Sequence, residues 1–284
     1  MLLESMGSFR LAVIGDVHSN ALALKACLQS IYDYEASHFP IDTIVFMGDL
    51  MTYGVRPNET LRNVSEVSSS RDVKLILGNH DQLYIDLFDT AATPYFDKLP
   101  DWIKESVRFH LTVLDWDLFV TMPFMPYYDF AGVLFSHANF FFLGSDDFRW
   151  RYVNSFEEHC RQIEILGQHD FILGVLGHTH RARLFSLPSA SVLDSVISHD
   201  LSHQTGACFD IAQYACSVAN VGSIGQPRDK LSTNPAWMLV ELDHCSPTSV
   251  SFVPFEYDLD SHLNDLLRSP LSPFCLNKLI SFFQ

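Results

Sequence analysis

FRLAVIGDVH occupies residues Phe9–His18, a short apolar run that ends in a glycine and is followed at once by an aspartate and a histidine. The same arrangement returns twice, as TIVFMGD at Thr43–Asp49 and as VKLILGNHD at Val73–Asp81. Short apolar runs that end in glycine predict buried strands. Since helical segments separate them, we expect parallel βαβ units in which every strand ends at the same edge of a sheet.

Helix signals stand between and after these strands. Asn20 is a candidate N-cap for a helix over residues 21–34, and Pro57 predicts the start of the next helix. The further helices that we expect cover Trp102–Trp116, Phe156–Leu166, Asp258–Arg268 and Cys275–Phe283. No linker rich in glycine, proline or charge divides the chain. We therefore expect one domain over residues 1–284, with a surface insertion at residues 186–207.

Composition restricts the classes of function. The 284 residues are 48% hydrophobic and 18% charged, which provides a large core and excludes a mainly disordered chain. With 18 basic and 34 acidic residues the net charge is −16, so no nucleic acid polymer is expected as a partner. We expect no membrane partner, because no apolar run of about 18 residues occurs. The absence of a signal-peptide pattern predicts a cytoplasmic location. The sequence does not decide between a monomer and a homo-oligomer.

Five short polar strings each follow an apolar run. They are GDVH at 15–18, GDLMTYG at 48–54, GNHD at 78–81, SHA at 136–138 and GHTH at 177–180. Open α/β sheets bind ligands at the carboxyl ends of their strands, where all five strings are expected to lie. Asp16 and His18 are two residues apart and face the same side of an extended chain, as do His178 and His180. Carboxylates, imidazoles and one amide without a thiolate suit Mn, Fe, Zn, Ni or Co.

The balance of charge in this set favours two cations. Asp16 and Asp49 supply two negative charges, so two divalent ions would leave the centre at about +2. Such a centre would attract a phosphate ester in spite of the acidic surface. A carboxylate that bridges two metals about 3.5–4 Å apart is the arrangement of two-metal phosphoesterases.

In this order the strings resemble the calcineurin-like metallophosphoesterase superfamily, whose pattern runs D-x-H, GD, GNH[DE], H and GH-x-H. GDVHSNALAL, GDLMTYGVRPNET and NVGSIGQPRD (residues 220–229) further resemble its prokaryotic phosphodiesterase branch. The resemblance implies a four-layer α/β/β/α sandwich with two mixed sheets. It also implies two divalent cations, with manganese as the first choice and Fe, Zn, Ni or Co as alternatives.

The resemblance also implies a role for each residue of the strings. The ligands of the first cation would be Asp16, His18 and His180. Those of the second would be Asn79, His137 and His178. Asp49 would bridge the two cations, and a hydroxide between them would attack phosphorus. His80 would contact the scissile phosphate and protonate the leaving oxygen as general acid, with Asp81 as its orienting partner.

Some substrate contacts are less determined. The candidate substrate-binding residues are Asn20, Asn79, His80 and Arg228. Asn20 has the helix cap as an alternative role. Gly222–Arg228 would form either a backbone nest for a phosphate, with Arg228 paired to it, or a structural turn beneath the site. Arg56 is a further candidate for phosphate contact.

The choice of substrate rests on two departures from the pattern. Protein phosphatases and dinucleoside tetraphosphate hydrolases of the superfamily usually carry an arginine before the glycine of GDxxxRG and before GNHE. Tyr53 and Leu77 stand at these places, so two guanidiniums that would bind a monoester dianion are missing. We therefore expect hydrolysis of small phosphate esters, with phosphodiesters or nucleotides favoured. The alternatives are a serine/threonine-type protein phosphatase, a dinucleoside polyphosphate hydrolase, or a non-catalytic scaffold on the same fold.

Overall fold

The Phe9–Ile14 run forms a strand at the centre of a seven-stranded sheet in the computed structural model, which describes residues 7–90, 93–144, 150–199, 201, 206, 208–228 and 235–284. The strands of the described residues, which form this sheet and a second one, are β1 (Phe9–Ile14), β2 (Thr43–Phe46), β3 (Val73–Ile76), β4 (Phe124–Met125), β5 (Tyr127–Phe130), β6 (Val133–Ser136), β7 (Leu173–Leu176), β8 (Ala182–Pro188), β9 (Ile197–Ser198), β10 (Cys208–Asp210), β11 (Tyr214–Val221), β12 (Ala236–Asp243) and β13 (Ser246–Pro254). The helices of these residues are α1 (Ala21–Ser37), α2 (Pro57–Ser70), α3 (Asn79–Thr90), α4 (Pro94–Lys98), α5 (Asp101–Val113), α6 (Trp116–Phe119), α7 (Phe156–Gln168), α8 (Leu259–Arg268) and α9 (Pro273–Ile280).

Both sheets are mixed. The first has the order β10-β13-β12-β1-β2-β3-β4, in which β1 to β4 run parallel and β12 pairs antiparallel with β1. The second has the order β5-β6-β7-β11-β8-β9, with β6, β7 and β11 parallel. The predicted parallel units over β1, β2 and β3 are therefore confirmed, and three polar strings leave one edge of the first sheet together.

Side-chain alternation along the strands builds the layers. Leu11 and Val13 of β1 pack between the two sheets, whereas Ala12 and Ile14 pack against the helices. The helices on that side are α1 to α6, α8 and α9. On the far side α7 covers the second sheet, with Leu166 among the residues packed there. This is the predicted four-layer α/β/β/α sandwich.

Local signals set the starts of α1, α2 and α7 as predicted, whereas α1 and α7 extend past their predicted ends to Ser37 and Gln168, and α9 covers Pro273–Ile280 instead of Cys275–Phe283. The Asn20 side chain accepts a hydrogen bond of 3.1 Å from the Ala23 N–H and caps α1, and Pro57 is the first residue of α2. The predicted helix over Trp102–Trp116 is instead two helices. α5 ends at Val113, because Leu114 is extended and Asp115 caps the short α6. Within the described residues no helix has the length and apolar character needed to cross a bilayer.

The predicted insertion at 186–207 starts too early. β8 continues through Pro188 and Ser186 is completely buried, because its hydroxyl pairs with that of Ser217 on β11. Ile197–Ser198 then forms the edge strand β9 against β8. Residues 200, 202–205 and 207 of this segment lie outside the described residues.

Packing between α7 and the second sheet provides a test of the layer arrangement. Leu166 is 0% exposed, so Leu166→Ala should lower the free energy of unfolding by about 2–5 kcal/mol, as expected for a cavity in a core. Leu267→Ala on α8, where the side chain is 58% exposed, is the matched control and should change it by less than about 0.5 kcal/mol. Urea unfolding measures both, and equal effects would contradict the assigned layers.

Candidate metal centre and active site

The ends of strands from both sheets meet at one place. Asp16 and Asp49 follow β1 and β2 of the first sheet, and His137 and His178 follow β6 and β7 of the second. The sheets approach so closely here that the His178 N–H donates to the Asp16 carboxylate at 3.0 Å. The polar strings of the sequence therefore form one site between the two sheets.

Glycines allow adjacent loops to touch at this edge. A Cβ at Gly48 would lie 2.5 Å from the backbone nitrogen of Gly78, and one at Gly78 would overlap the Asp49 carboxylate. Asp49 and His178 themselves have φ of +52° and +66°, a region that non-glycine residues rarely adopt. Such backbone strain concentrates at functional sites, where the surrounding structure holds it.

The predicted ligands fall into two groups that share one residue. In each group the donor atoms lie within 4.8 Å of one another. The first group is Asp16, His18, Asp49 and His180. The second is Asp49, His137 and His178. Asn79 joins the second group, since its Oδ1 is 3.1 Å from His137 Nε2. The common member is Asp49, the residue predicted to bridge.

Hydrogen bonds on the outer side of each imidazole determine which ring nitrogen faces the centre of its donor group. One ring nitrogen of every histidine in the two groups contacts a backbone carbonyl. The pairs are His18 Nδ1 with Met51 O at 2.8 Å, His137 Nδ1 with Met47 O at 2.7 Å, His180 Nδ1 with Gln226 O at 2.7 Å and His178 Nε2 with Trp150 O at 3.2 Å. A neutral imidazole that donates there directs the lone pair of its other nitrogen inward.

These inward lone pairs fit cations. His18 Nε2 and His180 Nε2 are only 3.0 Å apart, and His137 Nε2 is 3.2 Å from His178 Nδ1. Two lone pairs at such a distance repel each other, whereas a divalent cation between them is attracted to both. The residues can therefore hold one metal ion in each group, with the Asp49 carboxylate common to both.

Burial sets the charges of these groups. It is the main cause that raises the pKa of Asp16 to about 7, and it lowers the pKa of His178 to about 3. Burial also opposes the ionisation of Asp49, yet the charges of His137 and His80 hold the pKa of that carboxyl well below its usual range. At His137 burial is likewise overcome by Asp49, which raises its pKa to about 9. The site thus combines an ionised shared carboxylate with neutral imidazoles at His18, His178 and His180, the forms that bind metal. A cation bound at His137 would displace the proton of that ring.

Asp81 does not orient His80, contrary to the prediction. Its carboxylate accepts hydrogen bonds from the N–H groups of Asp49 at 2.6 Å, Leu50 at 2.9 Å and Gly78 at 3.1 Å. The two residues are neighbours in the first turn of α3, and adjacent side chains of a helix do not face each other. Asp81 instead joins the loops after β2 and β3, and so holds the backbone of Asp49 in place.

His80 has two other partners. Its Nδ1 lies 3.0 Å from Thr52 Oγ1, and its Nε2 lies 3.1 Å from the hydroxyl of Tyr53. Its backbone N–H donates to Asp49 Oδ1 at 2.8 Å, and its ring lies close enough for its charge to interact with that of the shared carboxylate. Burial lowers the pKa of His80 to about 4.

The loop after β11 supports the first group from below. The Gly225 N–H donates to Asp16 O at 3.0 Å, and the Ser223 hydroxyl donates to the same oxygen at 2.7 Å. A Cβ at Gly225 would overlap Val17 O, so this loop packs directly against the β1 loop. The turn predicted as the alternative for Gly222–Arg228 is therefore present. Asp229, at the end of the quoted string, lies outside the described residues.

Arg228 lies beside the metal groups. Its charge acts to lower the pKa of His180 and of His80, and its guanidinium lies over the Phe282 ring at 5.6 Å. The Nε atom is buried and has no hydrogen-bond partner among the described residues. A cation with an unpaired buried donor next to the site is suited to binding an anion.

The other two candidates for substrate contact have structural roles. Asn20 is completely buried; besides capping α1 it donates to Gly225 O and to the Tyr257 hydroxyl, each at 3.3 Å. Arg56 forms ion pairs with Glu59 at 2.8 Å and with Asp265 at 2.6 Å. Neither prediction of substrate contact agrees with these contacts, because the polar groups of both residues are engaged elsewhere.

Two aromatic residues at the site belong to none of the five polar strings. The Tyr95 hydroxyl accepts from Asn79 Nδ2 at 2.8 Å, which directs the amide oxygen toward His137. The Tyr152 ring stacks on His178 with 4.0 Å between the centroids and is 43% exposed. Tyr95 belongs to no sequence pattern, whereas the aromatic segment around Tyr152 is visible in the sequence without indicating its position.

Comparison with known proteins agrees with this geometry. A model of the calcineurin-like phosphoesterase family matches residues 9–182, which is more than half of the chain and includes every predicted metal ligand. The chain belongs to the calcineurin-like phosphoesterase family. Members of this family carry dinuclear metal centres, and the two donor groups that share Asp49 are positioned for such a centre.

Relatives of this family member extend the similarity over more than nine-tenths of the chain. The uncharacterized protein MJ0912 of Methanocaldococcus jannaschii is 26% identical over 268 residues, covering 92% of this chain and 93% of that protein. A metallophosphoesterase from Sphaerobacter thermophilus has a TM-score of 0.69 at 20% identity, covering 96% of this chain and 99% of its own. The hypothetical protein PH1004 of Pyrococcus horikoshii OT3 has a TM-score of 0.71 at 17% identity, covering 95% and 97%. The two structures show the fold, and the prokaryotic phosphodiesterase branch stays a prediction.

Because Asp49 belongs to both donor groups, its substitution should change the metal content more than that of a residue in one group. Asp49→Asn should weaken both bound ions, because the variant removes the charge common to the two groups, whereas His178→Ala should weaken one. Metal analysis of the purified chain after dialysis measures the number of ions per chain. Asp243→Asn, at a side chain that is 60% exposed, is the control and should keep the wild-type content. Two ions retained in Asp49→Asn would refute the bridging role.

Proposed function

We propose that the protein is a dinuclear-metal phosphoesterase that hydrolyses small phosphate esters, with phosphodiesters or nucleotides favoured over phosphomonoesters. The observation that carries the proposal is the pair of donor groups joined by Asp49, with imidazole lone pairs directed into both. Manganese as the native metal and a cytoplasmic location belong to the same proposal.

The ligand set indicates what chemistry the site supports. Oxygen and imidazole donors without a thiolate suit manganese and its neighbours in the transition series. When bound, two such cations stabilise charge on the phosphoryl oxygens and make water a stronger nucleophile near neutral pH. The chain contributes the geometry, since Asp81, Tyr95 and the carbonyl partners of the histidines fix the ligands before any ion arrives.

His80 is the proposed general acid. Its ring lies beside the shared carboxylate, and its Nε2 reaches the Tyr53 hydroxyl rather than a backbone group. A phosphate held at the centre would bring the leaving oxygen near this nitrogen, and the negative charge of that phosphate favours the protonated ring. His80 would then donate its proton to the leaving oxygen as the bond to phosphorus breaks.

Arg228 is the proposed phosphate-binding residue. It is a cation beside the first group with an unpaired buried Nε, and Phe282 covers its guanidinium. Hydrogen bonds from a guanidinium to a phosphate oxygen are among the strong ones because both partners are charged. Asn79 would act on the substrate indirectly, as a ligand of the cation in the second group.

The preference for diesters follows from the residues at the two usual arginine positions. Tyr53 presents a neutral hydroxyl to His80, and Leu77 is an apolar side chain that is 8% exposed. Neither can bind two oxygens of a dianion as a guanidinium does. A single cation at Arg228 matches the single negative charge of a phosphodiester.

A metal-by-substrate matrix tests the proposed function. The purified chain is loaded with Mn, Ni, Zn or Fe and assayed on bis(4-nitrophenyl) phosphate, 4-nitrophenyl phosphate, cyclic nucleotides, dinucleoside polyphosphates and a phosphopeptide. We expect the highest kcat/KM on diesters. A preference for the phosphopeptide or for dinucleoside polyphosphates would support one of those alternatives. Bound metal without any turnover would support the scaffold.

Removal of the Arg228 charge should weaken substrate binding. Arg228→Met keeps the length of the side chain, so KM should rise by about 10- to 100-fold, as expected for a lost hydrogen bond between charged groups. Metal content should stay that of the wild type. Arg62→Met, at an exposed position of α2, is the matched control. An unchanged KM in Arg228→Met would exclude phosphate contact by this residue.

A further inference from the structure

Thr52 and Tyr53 form a strained turn beside the metal ligand His18, whose backbone carbonyl accepts from the Gly54 N–H at 3.0 Å. Their φ angles are +73° and +66°, so two consecutive non-glycine residues are left-handed. A β-branched residue such as threonine is a clear outlier in this region. The conformation costs free energy, and it persists only where the surroundings hold it in place.

His110 on α5 holds this turn through both of its ring nitrogens. The Thr52 N–H donates to His110 Nδ1 at 3.3 Å, and His110 Nε2 lies 2.6 Å from Gly54 O. Since Nδ1 accepts a hydrogen bond, the ring proton of neutral His110 is on Nε2, which donates to the Gly54 carbonyl. The two partners therefore define one neutral tautomer. The ring is completely buried and so spans the turn from Thr52 to Gly54.

Two further residues of α5 fix Tyr53. The Ser106 hydroxyl accepts from the Tyr53 N–H at 2.9 Å. The Trp102 ring stacks on the Tyr53 ring with 5.4 Å between the centroids. Three positions of one helix, spaced by four residues, therefore contact the same short turn. α5 belongs to none of the polar strings, and the described hydrogen bonds join it to the turn rather than to a metal ligand.

Both side chains of the turn contact the ring of His80. Thr52 Oγ1 contacts His80 Nδ1, and the Tyr53 hydroxyl contacts His80 Nε2. The Thr52 hydroxyl donates toward Tyr84 at 3.4 Å, so it accepts from Nδ1–H of His80. Nε2 is then the nitrogen left free to exchange a proton with Tyr53 or with a leaving group.

We propose that His110 is a positioning residue for the general acid: by fixing the turn from Thr52 to Gly54 it places Thr52 and Tyr53 on the two nitrogens of His80. This inference rests on the proposed function, in which His80 protonates the leaving oxygen. His110 contacts none of the metal ligands in the hydrogen bonds described above and acts only through the turn. A histidine that merely filled the core would not need both nitrogens on one three-residue segment.

Leaving-group dependence distinguishes positioning from a structural role. An alcohol leaving group needs a proton, whereas 4-nitrophenolate leaves without one. His110→Leu fills the ring volume but removes both hydrogen bonds. It should lower kcat on an alkyl diester by roughly 10- to 100-fold, part of the factor of about 10²–10⁴ that general acid catalysis provides, and lower kcat on a 4-nitrophenyl diester by less than about threefold. KM and metal content should stay at wild-type values.

Three further variants complete the experiment. His80→Ala is the reference for complete loss of the proton donor and should show the same selectivity for the leaving group. His110→Gln, which keeps an acceptor and a donor, should recover most of the activity on the alkyl diester. His159→Leu is the matched control, because His159 is a buried helical histidine of α7 with Nδ1 bound to a carbonyl, far from the turn in the layer order.

The outcomes separate this inference from the proposed function. A wild-type chain without turnover on either diester would overturn the function itself. With an active wild type, equal losses on both diesters, or no loss on either, would refute the positioning role. If His110→Leu does not fold, Thr52→Val tests the same path, since it removes the hydroxyl at His80 Nδ1 and keeps the branched shape. The same selective loss is expected there, and its absence would also refute the proposal.

Discussion

Repulsion between buried lone pairs is the constraint on which the rest of this structure depends. His18 Nε2 and His180 Nε2 face each other at 3.0 Å, and the outer nitrogen of each ring is already bound to a carbonyl. Such an arrangement is unfavourable by itself, and cations make it favourable. The positive φ angles, the glycine contacts and the hydrogen bonds of Asp81 all serve to hold donors in positions that they would otherwise leave.

The two sheets supply different residues to the metal centre. The first sheet supplies the shared carboxylate and, through α3, the residue proposed to move a proton. The second supplies His137 and His178, together with the loop after β11 that supports Asp16. The catalytic proposal thus depends on their facing edges, and the fold matters for function mainly because it brings these edges together.

The sequence was sufficient to predict the fold and to predict which residues meet at the candidate metal centre, and for a clear reason. Each ligand follows a strand directly, so the parallel topology alone brings Asp16, Asp49 and Asn79 to one edge. The position of a residue after a strand does not predict the direction of its side chain, so contacts that depend on that direction were missed. Asp81 is adjacent to His80 in the chain but faces away from its ring, and Arg56 lies near a phosphate pattern yet pairs with Asp265 on a distant helix. His110 carries no local signal at all, because its partners are 56 and 58 residues away.

The division of the ligands between the sheets has a mechanical consequence. The first group takes Asp16 and His18 from one sheet and His180 from the other, and Asp49 of the second group stands opposite His137 and His178. Each bound ion therefore acts as a cross-link between the two halves of the sandwich. An ion bound there would add to the stability of the sandwich, since a ligand that binds only the folded state stabilises it by an amount that grows with the logarithm of the free ligand concentration above its Kd. A chain loaded with metal should therefore resist proteases at this edge better than the same chain without metal, although the apolar core between the sheets packs without any ion.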